Sequence, residues 1–341
     1  MVVAVVISLL LMVTAELAFH VGPVRADGTI YIRADGSIDP NTPLIQRQGD
    51  LYTLTGNVTS TNGGITVEKS NVMIDGNGFA VQGSGGSYGD NGFSLFNVNN
   101  VTIENTTIEG FYWGVFLNST GQVVVSGNRI VGNGQDGIAV FSSSNNTIIG
   151  NNVTNNGMCG VRLDDSSANS ITGNTLTNND GPGIWLNYST GNTMVGNFIS
   201  VNKWRGILLD GSSGNTIAGN NITNNEYGIL LHRSSGNNVV ENNITDNVYG
   251  VRVHNSSDAN SIFGNNLVGN TVYGIFIFYS SVNIVSGNSL TANVNYGLRL
   301  DGSWGTSISE NAIANNPYGI YVVSSSGDFF YHNNLLNNGV Q

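Results

Sequence analysis

From residue 57 to the end of the chain, apolar and polar residues alternate in short runs closed by Asn, Gly or Ser. The stretch 215–231 shows the pattern: Asn215-Thr-Ile217, Asn220-Asn-Ile222, Asn225, then Gly228-Ile-Leu-Leu231. Alternation at period two predicts strands. Asn, Gly and Ser between the runs predict turns, because they tolerate tight and left-handed backbone. Good helix formers are sparse, and no apolar stripe at helical spacing survives the glycines, so no helix is expected.

The pattern repeats. Two asparagines five residues apart recur every 22 or 23 residues, from Asn128/Asn133 through Asn220/Asn225 to Asn333/Asn338. A glycine ahead of the third run keeps the same beat, from Gly114 through Gly228 to Gly319. A fixed period of this size means one structural unit stacked on its own copies. A leucine-rich repeat would need leucines and a helical return leg, and a hexapeptide helix would need multiples of six. Three short strands per turn of 22–24 residues predict an all-β, right-handed parallel β-helix, the hand following from crossover chirality. The array spans residues 57–341 in about 13 coils, with residues 27–56 as an N-terminal capping segment; at the usual strand spacing the rod is roughly 60 Å long.

One coil cannot fold alone. Fixing its backbone costs ~1–2 kcal/mol per residue, more than a handful of buried aliphatic side chains returns, so stability accumulates between neighbours. The paired asparagines fit turn corners, where their amides can bond the layers above and below. They are read as scaffold.

Composition narrows the class. Only 10% of residues are charged, hydrophobic residues make up 40%, and the net charge is −11. This excludes a disordered chain and argues against nucleic acid, which needs clustered Lys and Arg. The lone Cys159 excludes an intrachain disulfide. Residues 1–26 read as a signal peptide: Val2 to Val13 is apolar apart from Ser8, and Val24-Arg25-Ala26 resembles a cleavage site, although no Lys or Arg precedes the run. Export is expected, to the periplasm, cell surface or medium, with no membrane contact beyond this signal or anchor. Asn-x-Ser/Thr sequons occur about as often as composition predicts and carry no message.

Two stretches, Asn215 to Ile229 and Val72-Met-Ile-Asp-Gly-Asn-Gly-Phe79, resemble the NosD-like β-helix repeats. That group is similar to carbohydrate-binding and sugar-hydrolase β-helices of pectin-lyase-like architecture. The resemblance covers about residues 57–341 and implies the fold; its repeat is shared by enzymes, adhesins and maturation factors. Residues 26–40 look like the leader of exported prokaryotic surface proteins. Relatives continue into an aromatic closing segment, whereas this chain stops soon after Asn338, so a truncated array or a partner covering that end is expected.

Chemistry has to be sought in columns, because stacking places equivalent residues of successive coils ~5 Å apart. By parity, the strand after each glycine has two outward positions. The first includes Arg162, Trp185, Arg252, Phe276 and Arg299; the second includes Asp164, Asp210, His232, His254 and Asp301. All of these but Asp164, with Arg233 close by, are the ligand-binding candidates, since exposed aromatics beside charged groups suit sugar rings. Asp210, His232 and His254 fall in one column of three consecutive coils and are the metal candidates, for copper or another transition ion; Asp164-Asp165 is the calcium alternative. Against a metal, parallel strand side chains do not converge. Asp164, Asp210 and Arg252 are the catalytic candidates, two carboxylates two layers apart lying at the limit for a glycosidase. Tyr227, Tyr249, Tyr273, Tyr296 and Tyr318 form a further column, read as a stacked corner ladder, and Cys159 falls in the same column.

Three functions compete. The first is an exported β-helix that binds carbohydrate or partner proteins without catalysis. The second is a polysaccharide lyase or glycoside hydrolase. The third, implied by the family resemblance, is metal handling during maturation of an exported enzyme, which four His, one Cys and five Met support poorly.

Overall fold

A computed structural model describes residues 28–341. The signal-peptide reading lies outside the described residues. No helix occurs among them. Three sheets run the length of the molecule, of 14, 14 and 13 strands, and every coil contributes one strand to each. Pairing is parallel and in register from coil to coil: Ile229 faces Val251, Ile217 faces Val239, and Ile222 faces Ile244. Each of the two larger sheets opens with one antiparallel strand, Ile38–Asp39 beside Ile30–Ile32 and Ile45–Gln48 beside Leu51–Leu54. These segments bury Ile30, Ile32, Tyr52 and Leu54 against the first coil. At the other end, Phe329, Phe330 and Tyr331 are exposed, while Ile308 of the coil before is buried.

The interior is a stack of aliphatic layers. In the coil at 215, Ile217, Ile222, Ile229 and Leu231 are fully buried, and each sits on its equivalents above and below.

The corners explain the asparagines. Asn220 accepts from the backbone N–H and the side-chain amide of Asn197, both at 2.9 Å. Its own amide donates to Met194 O at 2.9 Å, Ala218 O at 3.2 Å and Asn242 Oδ1 at 2.9 Å. Every donor and acceptor of the side chain is used inside the wall, as a buried amide requires. The Asn225 column repeats the arrangement. A third asparagine ladder runs through Asn146, Asn169, Asn192, Asn215, Asn237 and Asn260. A serine ladder turns the fourth corner, with Ser212 N donating to Ser234 Oγ and Ser234 N to Ser257 Oγ.

The residue before each ladder member has positive φ, for example Gly219 (60°), Asn224 (57°) and Gly214 (66°). One left-handed residue bends the chain and the next seals the bend.

The glycine column has a different cause. Gly228 and Ile229 both point inward at a local irregularity, since Tyr227 pairs with Tyr249 and Ile229 with Val251 while Gly228 is skipped. A Cβ on Gly228 would lie 2.6 Å from the Gly250 carbonyl and 2.7 Å from Ile244 Cγ2. Only a residue without a side chain fits there.

Candidate functional site

The sheet that follows the glycines carries the chemistry. Its strands lengthen from four residues in the first half (Val161–Asp164) to six in the second (Arg205–Asp210, Tyr227–His232, Tyr249–His254, Tyr273–Phe278, Tyr296–Asp301). The skipped glycine gives this sheet three outward columns instead of the two that parity predicts. The tyrosine column is the third, so it belongs to the face rather than to a remote corner. Tyr227 stacks on Tyr249 at 4.5 Å and Tyr273 on Tyr296 at 5.5 Å.

The predicted columns assemble in register, with Asp210 beside His232, His232 beside His254, Arg162 beside Trp185, and Arg252 beside Phe276, which adjoins Arg299. Asp301 continues the column beside Phe278 and is followed by Val323. The expectation of broadly exposed aromatics needs correcting. Phe276 is only 8% exposed, because the guanidinium groups of Arg252 and Arg299 lie 5.5 and 5.0 Å from its ring. Layered arginines and aromatic rings attract one another through the ring quadrupole, and each covers the other. Arg162 lies 4.6 Å over Trp185 in the same way.

The carboxylates are tied down. Asp164 binds Arg162 at 2.6 Å and Asn187 at 2.8 Å, one partner per oxygen. Asp301 binds Arg299 at 2.8 Å. Asp210 Oδ1 accepts from Arg233 Nη2 and lies against His232 Nδ1, both at 3.0 Å. Asn187 intervenes between Asp164 and Asp210.

His232 also meets Asn255 Nδ2 through Nε2 at 3.2 Å, so both its ring nitrogens are engaged. His254 stacks between His232 (5.5 Å) and Phe278 (5.1 Å). Burial first, then the charges of Arg252 and His232, lower its pKa to about 4. Among the described residues, no three His, Cys, Asp or Glu side chains group closely enough to hold a metal ion. The column brings Asp210, His232 and His254 into sequence along the rod but does not converge them on a point. The sole described thiol, Cys159, is fully buried, and its pKa is driven up by that burial and by Asp136.

Around the centre of this face, Arg205, Leu208, Asp210, Tyr227, Leu230, His232, Arg252 and His254 line a cleft of 370 Å³. A second cleft of 530 Å³ opens on the same sheet nearer the N-terminal end, between Tyr31, Phe96, Phe116, Trp113 and Tyr88 of the loop 83–91. Two features escaped the sequence reading. Arg205 occupies the tyrosine column one position before a glycine, where register alone would have found it. Asp136 sits buried in the same column, its carboxyl accepting from Cys159 N at 2.9 Å and its pKa raised by desolvation.

The class is that of a right-handed parallel β-helix with one side-chain-rich face. A model described as right handed beta helix region matches residues 143–290. The model described as periplasmic copper-binding protein (NosD) matches residues 34–204 and 264–341, well over half of the chain, and the protein belongs to that family. No curated protein is a significant sequence match. Among solved structures, a double mutant of the periplasmic alginate epimerase AlgG aligns over 89% of this chain and 83% of its own, with 14% identity and a TM-score of 0.54. The catalytic domain of a GH87 alpha-1,3-glucanase in complex with nigerose aligns over 92% of this chain and 63% of its own, with 13% identity and a TM-score of 0.54. At such identities the likeness shows the fold alone.

Proposed function

We propose that the protein is an exported β-helix that binds extended glycans along the Arg- and aromatic-rich face without chemically altering them. The observation that carries this reading is one outward column in which Arg162 stands beside Trp185 and Arg252, Phe276, Arg299 and Tyr321 alternate in register, with Leu208 and Leu230 between the two groups. A rigid face that repeats guanidinium donors and apolar side chains over many coils suits a linear polymer better than a compact small molecule. Export accords with the leader-like N-terminus and with the periplasmic setting that the family's name carries.

Copper binding, also in that name, finds no ligand set among the described residues. The imidazole of His232 is engaged at both nitrogens, His254 is stacked, and the thiol of Cys159 is enclosed. A catalytic reading has one observation in its favour, the Asp210–His232 hydrogen bond in the central cleft, which would orient an imidazole for proton transfer. Screening the purified protein on a glycan array, with release of reducing ends followed in parallel, tests both. Binding without release supports the proposal. Release that disappears in His232→Ala would replace it with an enzyme, and a blank array would overturn it.

A further inference from the structure

The arginines of the face are spaced by a rule. Arg162, Arg205, Arg252 and Arg299 lie in the strands Val161–Asp164, Arg205–Asp210, Tyr249–His254 and Tyr296–Asp301. In the order of strands across the sheet, each is separated from the next by one intervening strand. An arginine therefore appears on every second coil, roughly every 9–10 Å along the rod, with Arg205 in the tyrosine column and the other three in the neighbouring column of Trp185 and Phe276. The coils between present apolar or aromatic rungs: Trp185, then Leu230, then Phe276.

A second observation is independent of spacing. In all four of these arginines Nε is buried and has no hydrogen-bond partner, and Trp185 Nε1 shares that condition. A buried N–H is costly to leave unpaired. The two central arginines differ from the outer two. Arg162 and Arg299 are paired with Asp164 and Asp301, while Arg205 and Arg252 have no carboxylate partner among the described residues. Both guanidinium groups lie within 6 Å of the Tyr227 ring, and both line the central cleft. The one carboxylate there, Asp210, is already held by His232 and Arg233. The protein carries a net charge of −11, yet among the described residues these two guanidinium groups have no carboxylate set against them.

Resting on the glycan reading above, we propose that the ligand is a linear acidic polysaccharide with one carboxylate on every second sugar, and that Arg205 and Arg252 take two successive carboxylates. One sugar of an extended glycan advances by about the height of one coil, so a disaccharide repeat matches the two-coil spacing of the arginines. The planar guanidinium fork is the donor best suited to a carboxylate. Leu230, on the coil between the two arginines, offers the neutral sugar an apolar floor beside Leu208 of the Arg205 strand, and the coils of Trp185 and Phe276 flank the pair on either side. Salt bonds formed in this half-covered cleft are stronger than on an open surface.

The test is calorimetric titration of the full chain with a hyaluronan decasaccharide, which carries one carboxylate per disaccharide, and with the same oligosaccharide after carboxyl reduction. The acidic form should bind about tenfold or more tightly, and its affinity should fall with added salt. Arg205→Ala and Arg252→Ala should each weaken acidic binding by about tenfold, while Arg129→Ala, which removes an equal charge from another sheet, should not. Melting curves establish that each variant is folded. Equal affinity for the two oligosaccharides would overturn the acidic assignment and leave the glycan reading standing. So would arginine variants indistinguishable from Arg129→Ala, or equal binding of a sulfated, carboxyl-free polymer. No binding of any glycan would overturn both.

Discussion

Replacing Asn220 by alanine puts the scaffold argument at risk with one side chain. In the folded chain the Asn220 carboxamide makes five hydrogen bonds inside the wall. Its removal leaves the Asn197 backbone N–H without an acceptor, and the Met194 carbonyl loses its amide donor. Asn197 Nδ2 keeps Ile171 O at 2.8 Å, and Asn242 Oδ1 keeps the Asn220 N–H at 3.0 Å. One orphaned donor and one weakened acceptor at ~1–3 kcal/mol each give a loss of about 2–6 kcal/mol. Asn220→Asp keeps the acceptor but aims a carboxylate at the Met194 carbonyl, so it should cost more than alanine. The control is the next residue. Asn221 is exposed, and its alanine variant should stay within about 0.5 kcal/mol of wild type. Urea unfolding followed by circular dichroism measures all three. Because stability in a stacked array is summed between neighbours, a defect in mid-rod can also split one transition into two. If Asn220→Ala unfolds like Asn221→Ala, the ladder is not what holds the coils together.

Three further outcomes are expected. Thr306 interrupts the third asparagine ladder and leaves both Asn283 Nδ2 and its own Oγ1 buried without partners; Thr306→Asn should restore the chain of amides and raise stability by about 1–2 kcal/mol in the same urea assay, and a loss would show that the corner cannot accept the amide. Gly228→Ala should destabilise by about 3 kcal/mol or more, because the added methyl meets the Gly250 carbonyl and Ile244, and a neutral result in a thermal melt would mean that the wall yields easily. The third concerns pH. His254 is neutral in both states above its unfolded value of 6.5, and between there and about 4 only the unfolded chain binds the proton, so stability falls as pH drops through that window. Allowing for solvent screening at this half-buried site, the loss is about 1–2 kcal/mol. His254→Phe, which continues the stack onto Phe278, should unfold with a smaller difference between neutral and mildly acidic pH; an unchanged difference would assign the effect to other groups.

The repeat made the fold legible because its physics is local and periodic. An inward Ile every second residue, a left-handed residue at each bend and an asparagine sealing it leave the same trace in every coil. The columns on the face were legible for the same reason: with the period known, register follows, and Asp210, His232 and His254 could be placed side by side. What register does not carry is reach. Whether Phe276 is exposed depends on how Arg252 and Arg299 fold over it, and whether three parallel side chains converge on a metal depends on rotamers. The serine ladder was hidden because serine is common in every turn of this chain. Arg205 was hidden because tyrosine dominates the column it occupies.

The separation between wall and face explains why function is harder to read here than fold. Each ladder bond joins an inward amide to backbone or to another inward amide, and none involves an outward side chain of the glycine-led sheet. The wall is therefore indifferent to what that sheet displays, and a position there can change from Leu230 to Arg252 within one coil at no cost to the stack. Outward residues escape the period that the wall imposes, so any regularity among them needs its own cause. The tyrosine stack has one in the folded state, ring on ring. The arginines have a partial one, since Arg252 and Arg299 pack on the ring of Phe276, but packing on rings does not by itself require arginine on every second coil. The acidic glycan proposed above would supply a cause for that spacing, and for this reason the paired variants Arg205→Ala and Arg252→Ala test the reading more sharply than any single outward residue.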